Sequence, residues 1–347
     1  MGLACKKIIA CLIIFTFNLF CLPFFSTASF LDRDLYISGE TMGTYYHITL
    51  VSKKRLDKNR LKTKIDAQLK MINKSMSCFD PDSEILVFNR AAPHTRVKVS
   101  KDFIRVMKKG RKIYSITGGA WDGTIKPLVD LWGFGTEKGG KRIPGQDRIS
   151  KLLSCTGFDK IEISDKGLMK KNKFLTLDLG SIAKGYGVDK TAELLKQCRL
   201  ENFLVEIGGE IYAAGKNKKE NSWQVGISTP KKGIAANDLY KIVSLKDKAI
   251  ATSGDYRNFI NIDGKTYAHI ISPVTGYPPE NQVVSASVIA GDCTFADGLA
   301  TALMVMAPEK GTALVNTLAD TECMIIVRES QHKFKNFMSN GFSDYLQ

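Results

Sequence analysis

Apolar and polar positions change period several times along the chain. From Leu35 to Val51 they suit a pair of strands, and from Leu56 to Met76 apolar residues recur at helical spacing among charges. Phe103 to Thr117 repeats the helical pattern and is ended by Gly118-Gly119, and Trp132 to Pro144 is a Gly-rich loop. Short apolar or alternating runs at Ile161 to Ile163, Phe174 to Leu179, Asn202 to Ile207 and Trp223 to Ile227 predict strands, with a helix from about Ala183 to Gln197 among them. Strands at Ile242 to Ala251, Tyr267 to Ile271 and Val283 to Ile289 precede a helix beginning near Phe295. This mixture gives an α+β class. No internal repeat or low-complexity linker divides the chain, and 347 residues leave room for two lobes around one cleft or for two independent domains.

The first 28 residues depart from this pattern. Lys6 and Lys7 precede an apolar stretch from Ile8 to Phe25, and Ser26-Thr27-Ala28 supplies small residues for cleavage before Ser29. Residues 1–28 read as a secretory signal peptide, with an uncleaved membrane anchor as the alternative; Phe20 is too large for a good lipoprotein site before Cys21. Either way residues 29–347 are expected in the periplasm or at the outer face of the inner membrane. The five cysteines of that part, Cys78, Cys155, Cys198, Cys293 and Cys323, are odd in number and widely spaced. They match neither a disulfide framework nor a CxxC pair and read as small core residues.

A net charge of +15 suits nucleic acid, an acidic membrane or a polyanionic small molecule alike. The runs Lys53-Lys54-Arg55 and Lys216-Asn217-Lys218-Lys219 lack interleaved aromatics and read as solvated loops, and export argues against a nucleic-acid partner. Four histidines without an HExxH or paired CxxC arrangement make zinc an unpromising cofactor. The glycine spacings at Gly209 to Lys216 and at Gly133-Phe134-Gly135 fit no nucleotide fingerprint.

Short polar and glycine-rich clusters remain, each at the edge of a predicted element. Glu40 to Thr44, Met76 to Glu84 and Glu206-Ile207-Gly208-Gly209-Glu210 each suit a turn, and Pro81 to Glu84 can start a helix. Gly119 to Thr124 puts Trp121 beside Asp122 between glycines, which suits a ligand or a helix cap with a core tryptophan. Asp178-Leu179-Gly180-Ser181-Ile182-Ala183-Lys184 follows an apolar run and opens a helix, so its N–H groups and Lys184 could meet a diphosphate. A plain strand-to-helix turn has the same pattern. Ala251 to Arg257 precedes His269 and Pro273 to Gly276, and His269 suits a general base or a structural role. Asp297 and Thr301, four apart, share a helical face as two hard oxygen ligands of the kind magnesium prefers, although an aspartate at a helix start also serves as a cap.

Taken in order, these clusters resemble the ApbE family of FAD:protein FMN transferases, from Glu40 to about Thr301. The resemblance implies largely antiparallel sheets with packed helices and two lobes around one FAD cleft. It implies that Met42, Phe79, Ala120, Trp121, Asp122, Gly180, Lys184 and Ile271 line the FAD site. The carbonyl of Ala183 with Asp297 and Thr301 would hold Mg²⁺, and His269 would be the base. The implied reaction is attack of an acceptor Thr or Ser hydroxyl on the FMN phosphorus of FAD, with AMP leaving and Lys184 stabilising the diphosphate. Implied acceptors are membrane redox-pump subunits or other flavoproteins with a Ser/Thr-Gly-Ala-Ser/Thr motif. Phe79, Trp121, Gly298 and Ser272 depart from the family's common Tyr, Phe, Ala and Asp, and Ser272 removes a carboxylate near His269. The rival readings are hydrolysis of FAD to FMN and AMP, and a non-enzymatic flavin-binding or solute-binding envelope protein.

Overall fold

The alternating runs assemble into strands whose inward residues meet helices on one side and a hairpin on the other. The structure, a computed structural model, describes residues 33–135, 143–231, 238–255, 259–262, 265–330 and 333–347. Residues 1–28, expected to be a targeting segment, residues 136–142 of the Gly-rich loop, Tyr256 and Arg257 lie outside the described residues. The first strands are β1 (Arg33–Thr41), β2 (Thr44–Ser52), β3 (Ile161–Ser164), β4 (Gly167–Lys170), β5 (Asn202–Ile207), β6 (Glu210–Ala214) and β7 (Trp223–Ser228). They are followed by β8 (Leu239–Leu245), β9 (Lys248–Gly254), β10 (Phe259–Ile262), β11 (Lys265–Ala268), β12 (Val283–Ala290), β13 (Glu322–Arg328) and β14 (Phe334–Met338). The helices are α1 (Lys58–Met76), α2 (Glu84–Arg90), α3 (Lys101–Ile116), α4 (Lys126–Trp132), α5 (Gln146–Cys155), α6 (Gly180–Gln197), α7 (Cys293–Val305) and α8 (Pro308–Val315).

Eight strands form one sheet in the order β1-β2-β5-β6-β9-β12-β13-β14, every neighbouring pair antiparallel. The period-two pattern of β6 shows how its two faces are used. Tyr212 and Ala214 pack with Leu61, Ile65 and Leu69 of α1 and Val188, Ala192 and Leu195 of α6. Ala213 turns the other way, into a cluster with Trp223, Val225, Val243 and Leu245 of the β7–β8 hairpin. The interior strand β12, covered on both faces, is buried at every position. Residues 32–347 form one compact unit.

Four of these helices begin where a side chain satisfies a free N–H group. Asp57 accepts from Arg60 N at the start of α1, Ser83 from Leu86 N at α2, Ser100 from Phe103 N at α3, and Asp292 from Phe295 N at α7. In α3 the helix-weakening Gly110 has a packing reason: a Cβ there would lie 2.6 Å from Cη2 of Trp121.

Three expected strands come out differently. Phe174 to Leu179 is extended and buries Leu175, Leu177 and Leu179, but among the described residues it carries a single bridge, Thr176 to Ile125. A side chain replaces the neighbouring strand: Asn89 Oδ1 accepts from Leu177 N (2.7 Å) and its Nδ2 donates to Leu177 O (2.9 Å). Ile242 to Ala251 is not one strand but the end of β8 and the start of β9, broken at Lys246-Asp247, where Asp247 takes φ 53°. The run Tyr267 to Ile271 is strand only up to Ala268, so His269 and Ile271 sit in the irregular segment beyond β11. The helix expected from Ala183 starts three residues earlier, at Gly180, which puts Ala183 and Lys184 inside its first turns.

Candidate active site

A cavity of about 420 Å³ opens where the N-terminus of α6, the β5–β6 turn, the end of β9 and the side of α7 converge. Nine of the residues expected in the site line it: Ala120, Trp121, Asp122, Gly180, Lys184, His269, Ile271, Asp297 and Thr301. Three do not. Met42, in the β1–β2 turn, packs against α6 beside Gly187; Phe79, on the loop after α1, is 83% exposed; and Ala183 is buried in α6 next to the lining residue Lys184. A wider cavity of about 880 Å³ lies on the α3–α6 face among Arg105, Lys108, Lys109 and Lys112, and none of the expected residues lines it.

The loop after α3 is clamped to α6. Trp121 is 1% exposed, its Nε1 donating to Ser181 Oγ (3.0 Å) and its ring packed on Phe158 with centroids 5.4 Å apart. Asp178 N donates to Gly123 O (2.8 Å), and Asp178 Oδ1 accepts from Gly180 N (2.7 Å), so one of the N–H groups expected to face a diphosphate is already used. Asp122 Oδ1 accepts from both the N–H (2.8 Å) and the hydroxyl (2.7 Å) of Thr124. Burial nevertheless pushes the Asp122 carboxyl up to about 6, the Thr124 bonds offsetting it only in part.

Three charges from three elements meet at the cavity floor. Lys184 Nζ lies 2.7 Å from Glu210 Oε1 and 4.0 Å from Asp297 Oδ1, and the lysine side chain is 29% exposed while both carboxylates are nearly buried. Burial pulls the ammonium down, but Asp297 and Glu210 outweigh it and hold Lys184 above its ordinary value. Both carboxyls are raised, burial leading in each and Lys184 opposing it. Glu210 Oε2 has no hydrogen-bond partner among the described residues. The sequence reading passed over Glu210 as part of a turn. Its signal was a carboxylate opening the apolar run Glu210 to Ala214 at a position that strand alternation turns inward.

Asp297 is not a helix cap. Asp292 caps α7, and Asp297 sits in its second turn, 3% exposed, accepting from Gly185 N through Oδ2 (2.9 Å). This bond needs α6 and α7 close together: a Cβ on Gly185 would fall 2.4 Å from the Cys293 carbonyl oxygen. Thr301, one turn on, donates to Asp297 O (3.3 Å) and lies 3.1 Å from Ser253 Oγ, a hydroxyl on β9. The Asp297 carboxylate and the Thr301 hydroxyl are hard oxygens suited to a magnesium ion. Among the described residues no three His, Cys, Asp or Glu side chains group as a metal cluster.

His269 lines the opposite rim, its ring edge-on to Phe134 with centroids 6.3 Å apart. Ser272 Oγ accepts from Val274 N and Thr275 N (both 3.3 Å), closing the turn that follows. Ile271, 4% exposed, packs with Leu128, Trp132 and Ile149 of α4 and α5.

A model of the ApbE family matches residues 42–325. The chain belongs to the ApbE family. Its relatives in that family include the FAD:protein FMN transferase of Vibrio cholerae, 38% identical over 315 residues that cover 90% of this chain and 93% of that protein. The FAD:protein FMN transferase of Escherichia coli K12 is 32% identical over 314 residues, 89% of this chain and 88% of that one. Among solved structures, the flavin transferase ApbE from Vibrio cholerae matches with a TM-score of 0.82, over 91% of this chain and 100% of that chain. The flavinyl transferase ApbE of Pseudomonas stutzeri, in its apo form, matches with 0.81 at 34% identity, over 90% and 97%. The ApbE fold and the α+β class read from the sequence therefore coincide.

Proposed function

We propose that this chain moves the FMN half of FAD onto a Thr or Ser hydroxyl of an acceptor protein, releasing AMP. The carrying observation is that Lys184, Asp297, Thr301 and His269, drawn from three distant stretches of sequence, line one cavity. The relatives' names, FAD:protein FMN transferase, support the same reaction. Asp297 and Thr301, with the Ala183 carbonyl, would hold Mg²⁺, which when bound neutralises diphosphate charge. The Lys184 ammonium grips the diphosphate, and His269 accepts the proton of the acceptor hydroxyl. The new bond joins the acceptor oxygen to the FMN phosphorus; the bridging P–O bond breaks, and its oxygen leaves with AMP. Asp122 and Ala120 shape the wall beside the flavin half, and Ile271 supplies an apolar surface.

The acceptor in this reading is an envelope flavoprotein with a Ser/Thr-Gly-Ala-Ser/Thr motif, such as a membrane redox-pump subunit, and the chain acts after export. The test combines residues 29–347, FAD, Mg²⁺ and an acceptor domain carrying the motif, followed by intact-mass and nucleotide analysis. One FMN added per acceptor with one AMP released is the expected result. AMP and free FMN without a mass change would make the chain a hydrolase, and intact FAD would leave only binding.

A further inference from the structure

Lys184 stands between two buried carboxylates but makes close contact with only one. Its Nζ is 2.7 Å from Glu210 Oε1 and 4.0 Å from Asp297 Oδ1. Glu210 is the first residue of β6, paired with Ile207 across the Gly208-Gly209 turn, so its backbone is set by the central sheet. It is 3% exposed and lines the same cavity as Lys184, Asp297 and Thr301. Its second oxygen has no hydrogen-bond partner among the described residues. An ammonium this close to a carboxylate in a poorly solvated cavity competes with any other cation that the carboxylate would bind. The flexible stem of a lysine lets it close such a gap when nothing holds it back.

We propose that Glu210 is a positioning residue that holds Lys184 off Asp297, keeping that carboxylate open to a divalent cation and the ammonium in place for the diphosphate. The proposal rests on the metal site assigned above to Asp297 and Thr301. Glu210 offers the ammonium a charged partner at hydrogen-bond distance, and the 4.0 Å separation on the other side is the room it leaves. Without the Glu210 charge, Asp297 becomes the strongest partner within reach, and the resulting ion pair must open before a cation can enter.

The experiment titrates Mn²⁺, visible by electron paramagnetic resonance, into FAD-free protein comprising residues 29–347. Four proteins are compared: wild type, Glu210→Gln, Lys184→Met and the double variant. Glu210→Gln is expected to weaken Mn²⁺ binding by roughly tenfold or more while Lys184 is present, the scale of one charge-assisted contact to be displaced. In the Lys184→Met background the same substitution should change affinity by less than about threefold, because no ammonium competes. Equal losses in both backgrounds would overturn the proposal and make Glu210 act directly on the cation. No loss in either background would equally overturn it. The metal reading fails separately, if wild type binds no Mn²⁺ or if Asp297→Ala binds it like wild type. Thermal unfolding checks each variant; should Glu210→Gln not fold, Glu210→Asp, which keeps the charge but retracts it, replaces it with the same expected pattern across the two backgrounds.

Discussion

Replacing Asp122 by asparagine should alter the pH dependence of stability with a sign and size that follow from its surroundings. The residue is 7% exposed, and burial raises its carboxyl from 3.8 to about 6 despite the Thr124 bonds. A carboxyl that titrates higher in the folded than in the unfolded state favours folding while it is protonated. That contribution is complete below a pH of about 3.8, declines as the pH rises, and is lost once the pH has passed about 6. Two pKa units at 1.36 kcal/mol each amount to roughly 3 kcal/mol. Asparagine keeps an oxygen for the N–H and hydroxyl of Thr124 and has nothing to ionise. The variant should therefore exceed wild type by up to about 3 kcal/mol near pH 8, with the gap closing near pH 4. Urea unfolding across that range, followed by tryptophan fluorescence with equal m-values, measures the difference. A gap that stays constant with pH, or a variant less stable near pH 8, would refute the reasoning. Weaker FAD binding by the same variant near pH 8 is also expected, since ionised groups that cost stability persist where a ligand uses them.

Asp297→Ala should abolish metal-dependent turnover while the protein still unfolds cooperatively, and near-normal activity at low Mg²⁺ would remove Asp297 from the metal site. His269→Asn should slow transfer by roughly 10² to 10⁴-fold with FAD and Mg²⁺ affinities unchanged, the usual scale for a lost acid or base; a retained rate makes His269 structural. Gly110→Ala should destabilise by about 1–3 kcal/mol, because the added methyl meets the Trp121 ring, and a gain in Tm would show that the ring yields freely. Trp132→Phe removes the Nε1 bond to Gly276 O (2.9 Å) and should cost about 1–3 kcal/mol in a denaturation midpoint while lowering kcat more than FAD affinity. An equal fall in affinity would place that loop's effect on the diphosphate instead.

Local patterns revealed elements that obey one period throughout, such as α1, with Leu61, Ile65, Leu69 and Ile72 on its buried face, and β5, which alternates along its length. They failed where tertiary contacts substitute for a ladder. Nothing local to Phe174–Leu179 shows that Asn89, far back in the chain, takes the place of a neighbouring strand. The site divides in the same way. Asp297 and Thr301 were legible because one helix carries both, and Lys184 because it follows a helix start. Strand alternation could mark Glu210 as an inward carboxylate but not its role, which depends on Lys184 and Asp297 arriving from other elements. Phe79, the aromatic of the expected motif, stands in solvent and outside the cavity lining.

The charged floor and the histidine rim rest on different parts of the fold. Lys184, Glu210 and Asp297 sit on α6, β6 and α7; β6 belongs to the central sheet, α6 packs against it, and Gly185 brings α7 against α6. Moving any of these charges means shifting elements locked by the core, so their mutual geometry is held by the fold. His269 follows β11, which pairs with β10 in a separate two-stranded sheet. Its flanking residues Tyr267 and Ile271 are secured instead by the small cluster around Trp132. If the proposed roles hold, grip on the nucleotide and acceptance of the proton rest on separate supports. In the proposed reaction the large sheet would set where the diphosphate meets Lys184, and the Trp132 cluster would set how His269 approaches an acceptor hydroxyl.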